Sequence, residues 1–315
     1  GLFVFSICFG SFAVPLIVGG GKGTTLEVLI YEKIRLSNNW SQAVILAFFQ
    51  SAFIFGISML ARKGGARSSE KKANLKLIRM FSGIGILLFI SLFSFYGYFQ
   101  GVLEGVQQIG AFYEIQSALI WNFFGSLLMG TLVGLFAYGS LLLVAYCWPK
   151  LWFEKFLSGY MAPSTALCCF AFLMFGSNES FWPFIKIPFA FNLLCLSSLY
   201  RMGWDGIMHS LNNQITIART LGANANQIFK DILLPQISNR AALFAGVAAI
   251  WACGDYAVSR ILAHRDLTLA MTTETLMSSY RLGMATLLSV SLVLCGAMCF
   301  FIMIGVGHVL SRKSA

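Results

Sequence analysis

Residues 18–27 read VGGGKGTTLE, the glycine, lysine and threonine vocabulary of a loop whose backbone N–H groups cradle a phosphate. The spelling is wrong for that chemistry. A nucleotide loop of this type needs G-x-x-x-x-G-K-[ST], whereas Lys22 is followed by Gly23 and Leu16 stands where the leading glycine belongs. The glycines serve a tight turn instead. No serine, cysteine or carboxylate lies in a pattern that supports hydrolysis, so the chain is not read as an enzyme. The eight cysteines (Cys8, Cys147, Cys168, Cys169, Cys195, Cys253, Cys295 and Cys299) fall in or beside apolar runs and read as small hydrophobes. With no CxxC pair, and His209, His264 and His308 far apart, neither a metal site nor a bound cofactor is expected.

Charged residues well inside the apolar runs include Lys186, Asp255 and Arg260. Asp255 and Arg260 are five residues apart, a spacing that does not face one side of a helix, so each needs its own partner. Arg260 and Lys186 lie near run ends and are expected to snorkel to the interface as anchors. Asp255 is shorter and deeper and should face the interior of the protein. There it makes a structural contact, such as a hydrogen bond to Ser259, or belongs to a solute pathway.

The elements that must position these residues follow from composition. Of 315 residues, 58% are hydrophobic and only 11% charged, against about 25% charged in a soluble domain. The surplus needs lipid. Apolar runs near 2–18, 40–61, 80–98, 117–147, 157–176, 184–202, 241–263 and 284–309 predict an all-α, polytopic transmembrane bundle of about eight spans. The net charge of +10 is concentrated in Arg62, Lys63, Arg67, Lys71, Lys72, Lys76 and Arg79, which marks a cytoplasmic segment by the positive-inside rule. No aromatic interleaving supports nucleic acid. Alternation then places 19–39, 99–116, 177–183 and 264–283 outside, and 148–156 and 203–240 inside.

The chain also echoes itself. Gly10, Ala13 and Val14 match Gly254, Ala257 and Val258, with Phe12 opposite Tyr256. With small gaps, Thr25-Leu26 faces Thr268-Leu269 and Ala43 faces Ala285. A repeat of about 240 residues is implied. Residues 1–61 then read as the last two spans of a first repeat, 62–79 as a basic linker, and 80–315 as a complete second repeat of six spans. The parent protein is expected to be longer, with two pseudo-symmetric halves.

The stretch GWDGIMHSLNNQITIARTLGANANQIFKDILLPQISNR, residues 203–240, is too long and too polar for a tight connection. Gly206 to Leu221 predicts an amphipathic helix with Ile207, Leu211, Ile215, Ala218 and Leu221 in one stripe. Gly222 ends it in a left-handed conformation. Asn224 caps a second helix, 225–233, with Ile228, Ile232 and Leu233 on its apolar face, and Pro235 terminates it.

This pattern resembles the EAA loop of binding-protein-dependent ABC importer permeases, E-A-A-x-x-x-G-x(9)-I-x-L-P. The chain supplies Ala218, Gly222, nine intervening residues, then Ile232, Leu234 and Pro235. Thr216 and Ile217 stand where the family usually has Glu and Ala. The flanks IPFAFNLL and GDYAV, and the loop GGGKGTTLEVLIYEKIR, resemble the fused two-half permeases of iron(III) and thiamine importers. The resemblance implies a type I, methionine-importer-like transmembrane fold in a bacterial inner membrane. It also implies a cytoplasmic ABC ATPase dimer that supplies ATP hydrolysis, a periplasmic solute-binding protein, and coupling through Thr216, Ala218, Arg219, Gly222, Ile232, Leu234 and Pro235. A secondary transporter or channel without an ATPase is the competing class; it has no use for this loop.

Overall fold

The computed structural model describes residues 25–65, 77–108, 110, 116–147, 164–174, 181–263 and 267–314. The expected first span, most of the glycine-rich loop and most of the basic linker lie outside the described residues. Among the described residues there are helices and no strand. In chain order they are α1 (Leu26–Arg35), α2 (Trp40–Gly65), α3 (Leu77–Gln107), α4 (Gln116–Cys147), α5 (Thr165–Leu173) and α6 (Pro183–Leu199). After a widened turn at Tyr200–Trp204 come α7 (Asp205–Thr220), α8 (Ala225–Cys253), α9 (Ala257–Leu262), α10 (Leu269–Ser278) and α11 (Leu282–Ser314).

Among the described residues, three helices are long and apolar enough to cross a membrane: Ala118–Cys147, Ala225–Cys253 and Leu282–Ser311. A fourth span results if α6 and α7, bent by 52°, are counted together. The centre of the bundle is α8, packed between α4 and α11. Its buried face is almost entirely small: Ala241, Ala242, Ala245, Gly246, Ala248, Ala249 and Ala252. Small side chains let backbones approach closely, the packing mode available where lipid removes any hydrophobic drive between helices. A Cβ on Gly307 of α11 would collide with the Cβ of Ala242. Beside it, Tyr138 of α4 donates to Ser238 Oγ at 2.8 Å, and Ser238 donates to the carbonyl of Gly307 at 3.1 Å, which ties all three helices together.

Three expectations need correction. Helix α3 runs to Gln107, through half of the connection placed at 99–116. That segment holds no proline, and Gly101 lies directly against Thr286 of α11, so packing carries the helix on. The run 241–263 is not one helix: α8 stops at Cys253, residues Gly254–Tyr256 are not helical, and α9 restarts at Ala257. Pro235 does not terminate the second helix of the 203–240 segment either. The backbone widens to π-helical hydrogen bonding over Ile228–Leu233 and continues into Leu234–Cys253 with proline in its first turn. A widened turn removes the i to i−4 pairing with which proline conflicts.

Candidate functional site

The projecting end of the α7 and α8 pair is built from its cap. The Gly222 N–H reaches Arg219 O at 2.9 Å, the Ala223 N–H reaches Ala218 O at 3.0 Å, and Gly222 takes φ +85°. This is a Schellman termination, which needs a left-handed residue at the glycine position. Asn224 follows in an extended conformation, and its N–H donates to Gln227 Oε1 at 2.9 Å, the back half of a capping box. Two helix ends thus meet across four residues.

Leu211, Ile215 and Ala218 of the expected stripe are buried, while Ile207 is half-buried. Leu221 is 82% exposed, because as the C-cap it has already left the helical face. On the second helix Ile228 and Leu233 are buried and Ile232 half-buried. Of the seven residues assigned to coupling, Thr216, Arg219 and Gly222 are exposed, Ile232, Leu234 and Pro235 half-buried, and Ala218 buried. The first three therefore lie on the outer surface, while Ala218 and Ile232 belong to the apolar core. Ile217 (59% exposed) and Leu221 add an apolar surface one turn apart, flanked by Arg219. Lys230 and Asp231 are exposed as well. Such a tip can dock in a groove with an apolar floor and an acidic margin.

The base of the pair is fixed to the bundle by residues that the amphipathic pattern did not single out. Trp204 and Met208 are fully buried, and the Trp204 ring stands edge-on to Phe244 of α8 at 5.9 Å. Gly203 just before it has φ +148°, a conformation that glycine tolerates, and marks the bend between α6 and α7. Asp205 accepts from Tyr200 Oη at 3.0 Å and lies 3.3 Å from His209 Nε2. The side chain of Arg201, four residues before Asp205, is outside the described residues. Gln236 Nε2 donates to Gln214 Oε1 at 2.8 Å. From α4, Tyr146 Oη donates to Asn226 Oδ1 at 2.9 Å, and its ring meets Phe229 edge-on at 5.4 Å.

Asp255 is half-buried, and its Oδ2 accepts the Val258 N–H at 2.7 Å. It caps α9, so the acceptor is filled by backbone rather than by the Ser259 hydroxyl. Arg260 is exposed, as an anchor requires. Lys186 is not a snorkelling anchor: it is only 5% exposed, with Nζ 6.0 Å from the Trp182 ring centroid. Close packing of the proline-rich start of α6, where Pro183, Ile187 and Pro188 are also buried, encloses it.

A second polar centre went unmarked in the sequence. Glu27 of α1 is buried and accepts from Gln50 Nε2 at 3.0 Å, Ser164 Oγ at 2.8 Å, Thr165 N at 3.1 Å and Ala166 N at 3.4 Å. It thereby sits on the N-terminus of α5, where a carboxylate meets unpaired N–H groups and the positive end of the dipole. Burial pushes its carboxyl above the usual range, while the bonds from Ser164, Ala166, Thr165 and Gln50 oppose that shift. An acidic residue in the first turn of a short helix was its one local signal.

No family model matches the chain, and no solved structure matches it. Among curated proteins, 68 residues are 40% identical to the thiamine transport system permease protein ThiP of Brucella abortus (strain 2308), covering 21% of this chain and 12% of that protein. A stretch of 61 residues is 34% identical to ThiP of Escherichia coli (strain K12), covering 19% of the chain and 11% of the relative. The match spans about one eighth of the relatives' length. The likeness is to permease proteins of thiamine transport systems, which are not enzymes by that description.

Proposed function

We propose that the chain is permease from an ATP-driven ABC importer, with a solute pathway between its long helices and a coupling end formed by α7 and the start of α8. The observation that carries the reading is the Schellman turn at Gly222, which projects Thr216, Ile217, Arg219 and Leu221 from a base pinned to α4 and α8. On this reading a cytoplasmic ABC ATPase dimer docks on that end, hydrolyses ATP and moves it, and a solute-binding protein delivers solute on the opposite side. Motion of packed helices as rigid bodies needs a stiff link of this kind. Thiamine is the proposed solute, from the relatives' printed function, with iron(III) the second choice from the resemblance of the glycine-rich loop. The fold is type I, with about eight spans, in the bacterial inner membrane.

Two pseudo-symmetric units are part of the proposal. In support, Thr25 precedes the ten-residue helix Leu26–Arg35 and Thr268 precedes the ten-residue helix Leu269–Ser278. Each is followed by a non-glycine residue at positive φ, Asn38 (47°) and Tyr280 (59°). Each of these lies two positions before a long helix, at Trp40 and Leu282.

Copurification tests the reading. The ATPase encoded with this permease should copurify with the wild type and be lost from Gly222→Arg while the permease remains membrane-inserted. Solute uptake that proceeds without any ATPase would sink it in favour of a secondary carrier.

A further inference from the structure

Three thiols converge inside the bundle. Cys295 and Cys299 lie one turn apart on α11, and Cys253 is the last residue of α8. Their Sγ atoms all lie within 4.8 Å of one another, with Cys253 and Cys299 at 3.5 Å. Each residue is no more than 1% exposed. From α4, the carbonyl oxygens of Ser126 and Leu127 approach Cys253 Sγ and Cys299 Sγ at 3.5 and 3.6 Å. Gly130, one turn further along α4, leaves the space open: a Cβ there would overlap Cys253 Sγ and stand 2.9 Å from Cys299 Sγ.

We propose that Cys253, Cys295 and Cys299 form a structural site for one thiophilic divalent cation of the zinc and cadmium class, with a carbonyl of α4 at hand as a fourth ligand. Metal–sulfur bonds of about 2.3 Å in a tetrahedral site set sulfurs about 3.8 Å apart, within the spread observed. Charge favours a divalent ion. Binding displaces the thiol protons, and the divalent charge offsets that of the thiolates formed, which an apolar interior would not otherwise hold. The ion would join α8 to α11 at the level where α8 ends and the chain breaks toward α9. Sequence spacing hides the site, because only the i, i+4 pair is local and the third ligand comes from another helix.

The test uses the full transporter purified in detergent. On cadmium titration, the wild type should develop a sulfur-to-cadmium charge-transfer band that saturates near one equivalent per chain. C253S and C299S should lose it, and C195S, which alters a buried cysteine of α6 outside the cluster, should keep it. Should the serine variants fail to assemble, the wild type still decides. Cadmium should shield Cys253, Cys295 and Cys299 from alkylation during unfolding, read by mass spectrometry against Cys195 as the internal reference. A monodisperse wild type without the band, a band that survives in C253S and C299S, or equal alkylation of all four cysteines overturns the site. So does a Cys253–Cys299 disulfide recovered from freshly purified protein.

Discussion

Tyr146 Oη donates to Asn226 Oδ1 across a sequence separation of 80 residues, joining the end of α4 to the start of α8. The Tyr146 ring also meets Phe229 edge-on, so hydroxyl and ring make separable contributions. Tyr146→Phe removes a partly exposed hydrogen bond, a change of about 1 kcal/mol or less. Tyr146→Ala removes the ring contact as well, worth about another 1 kcal/mol. With the importer reconstituted, solute moved per ATP hydrolysed should fall more for Tyr146→Ala than for Tyr146→Phe. Equal ratios for the two variants would show that the ring does not transmit motion.

Gly222 tests geometry apart from space. A Cβ there meets no atom within 4 Å, so substitution is resisted by the φ of +85° alone. That strain is roughly 1 kcal/mol for a non-glycine residue. Gly222→Ala should shift the thermal unfolding of the purified permease slightly and keep ATPase association. Gly222→Arg should leave the protein inserted but separate transport from ATP hydrolysis, and normal uptake by this variant would defeat the coupling role.

The broad plan was legible from the sequence, and the reasons for the misses are physical. The runs at 117–147 and 184–202 became Gln116–Cys147 and Pro183–Leu199, because apolar length alone sets such elements. The Gly222 turn and the Asn224 start were readable because caps are local chemistry. Pro235 misled, since the rule against proline assumes regular helical pairing and the chain widened its turn instead. Leu221 sat on the stripe by count but beyond the helix by geometry. The enclosure of Lys186 and the partners of Glu27 are decided by tertiary packing, which no local spacing encodes.

Asp255 offers a sharper decision than its charge implied. Its carboxylate caps α9 through the Val258 N–H. Asn is an equally good cap, so Asp255→Asn should change stability by less than about 0.5 kcal/mol, whereas Asp255→Ala should cost about 1–2 kcal/mol. Transport assays on the stable Asn variant then isolate the charge. Unchanged solute affinity and rate would remove Asp255 from the pathway.

Glu27 predicts a pH dependence with a definite sign. Its folded pKa is raised, with burial the largest cause, so the folded state holds the proton more tightly than the unfolded chain does. Stability from this group is complete below the ordinary value of 4.5 and declines as pH rises through the folded pKa. Glu27→Gln should flatten that part of the stability profile measured by thermal unfolding against pH. A slope unchanged in Glu27→Gln would assign it to another group. Glu27→Ala, which leaves Ser164, Gln50 and two backbone N–H groups without their acceptor, should cost about 3 kcal/mol.

The same carboxylate sets an order of assembly. Ser164 lies 137 residues after Glu27, so at a synthesis rate of roughly 5–20 residues per second its partners emerge about 7–27 s later. Until then α1 has no N-terminus of α5 to dock on, and α2, α3 and α4 have already been made. The early hairpin can close through Gln50 of α2, but Glu27 gains Ser164, Thr165 and Ala166 only when α5 arrives, which makes its docking on that helix end a late step in the maturation of the bundle.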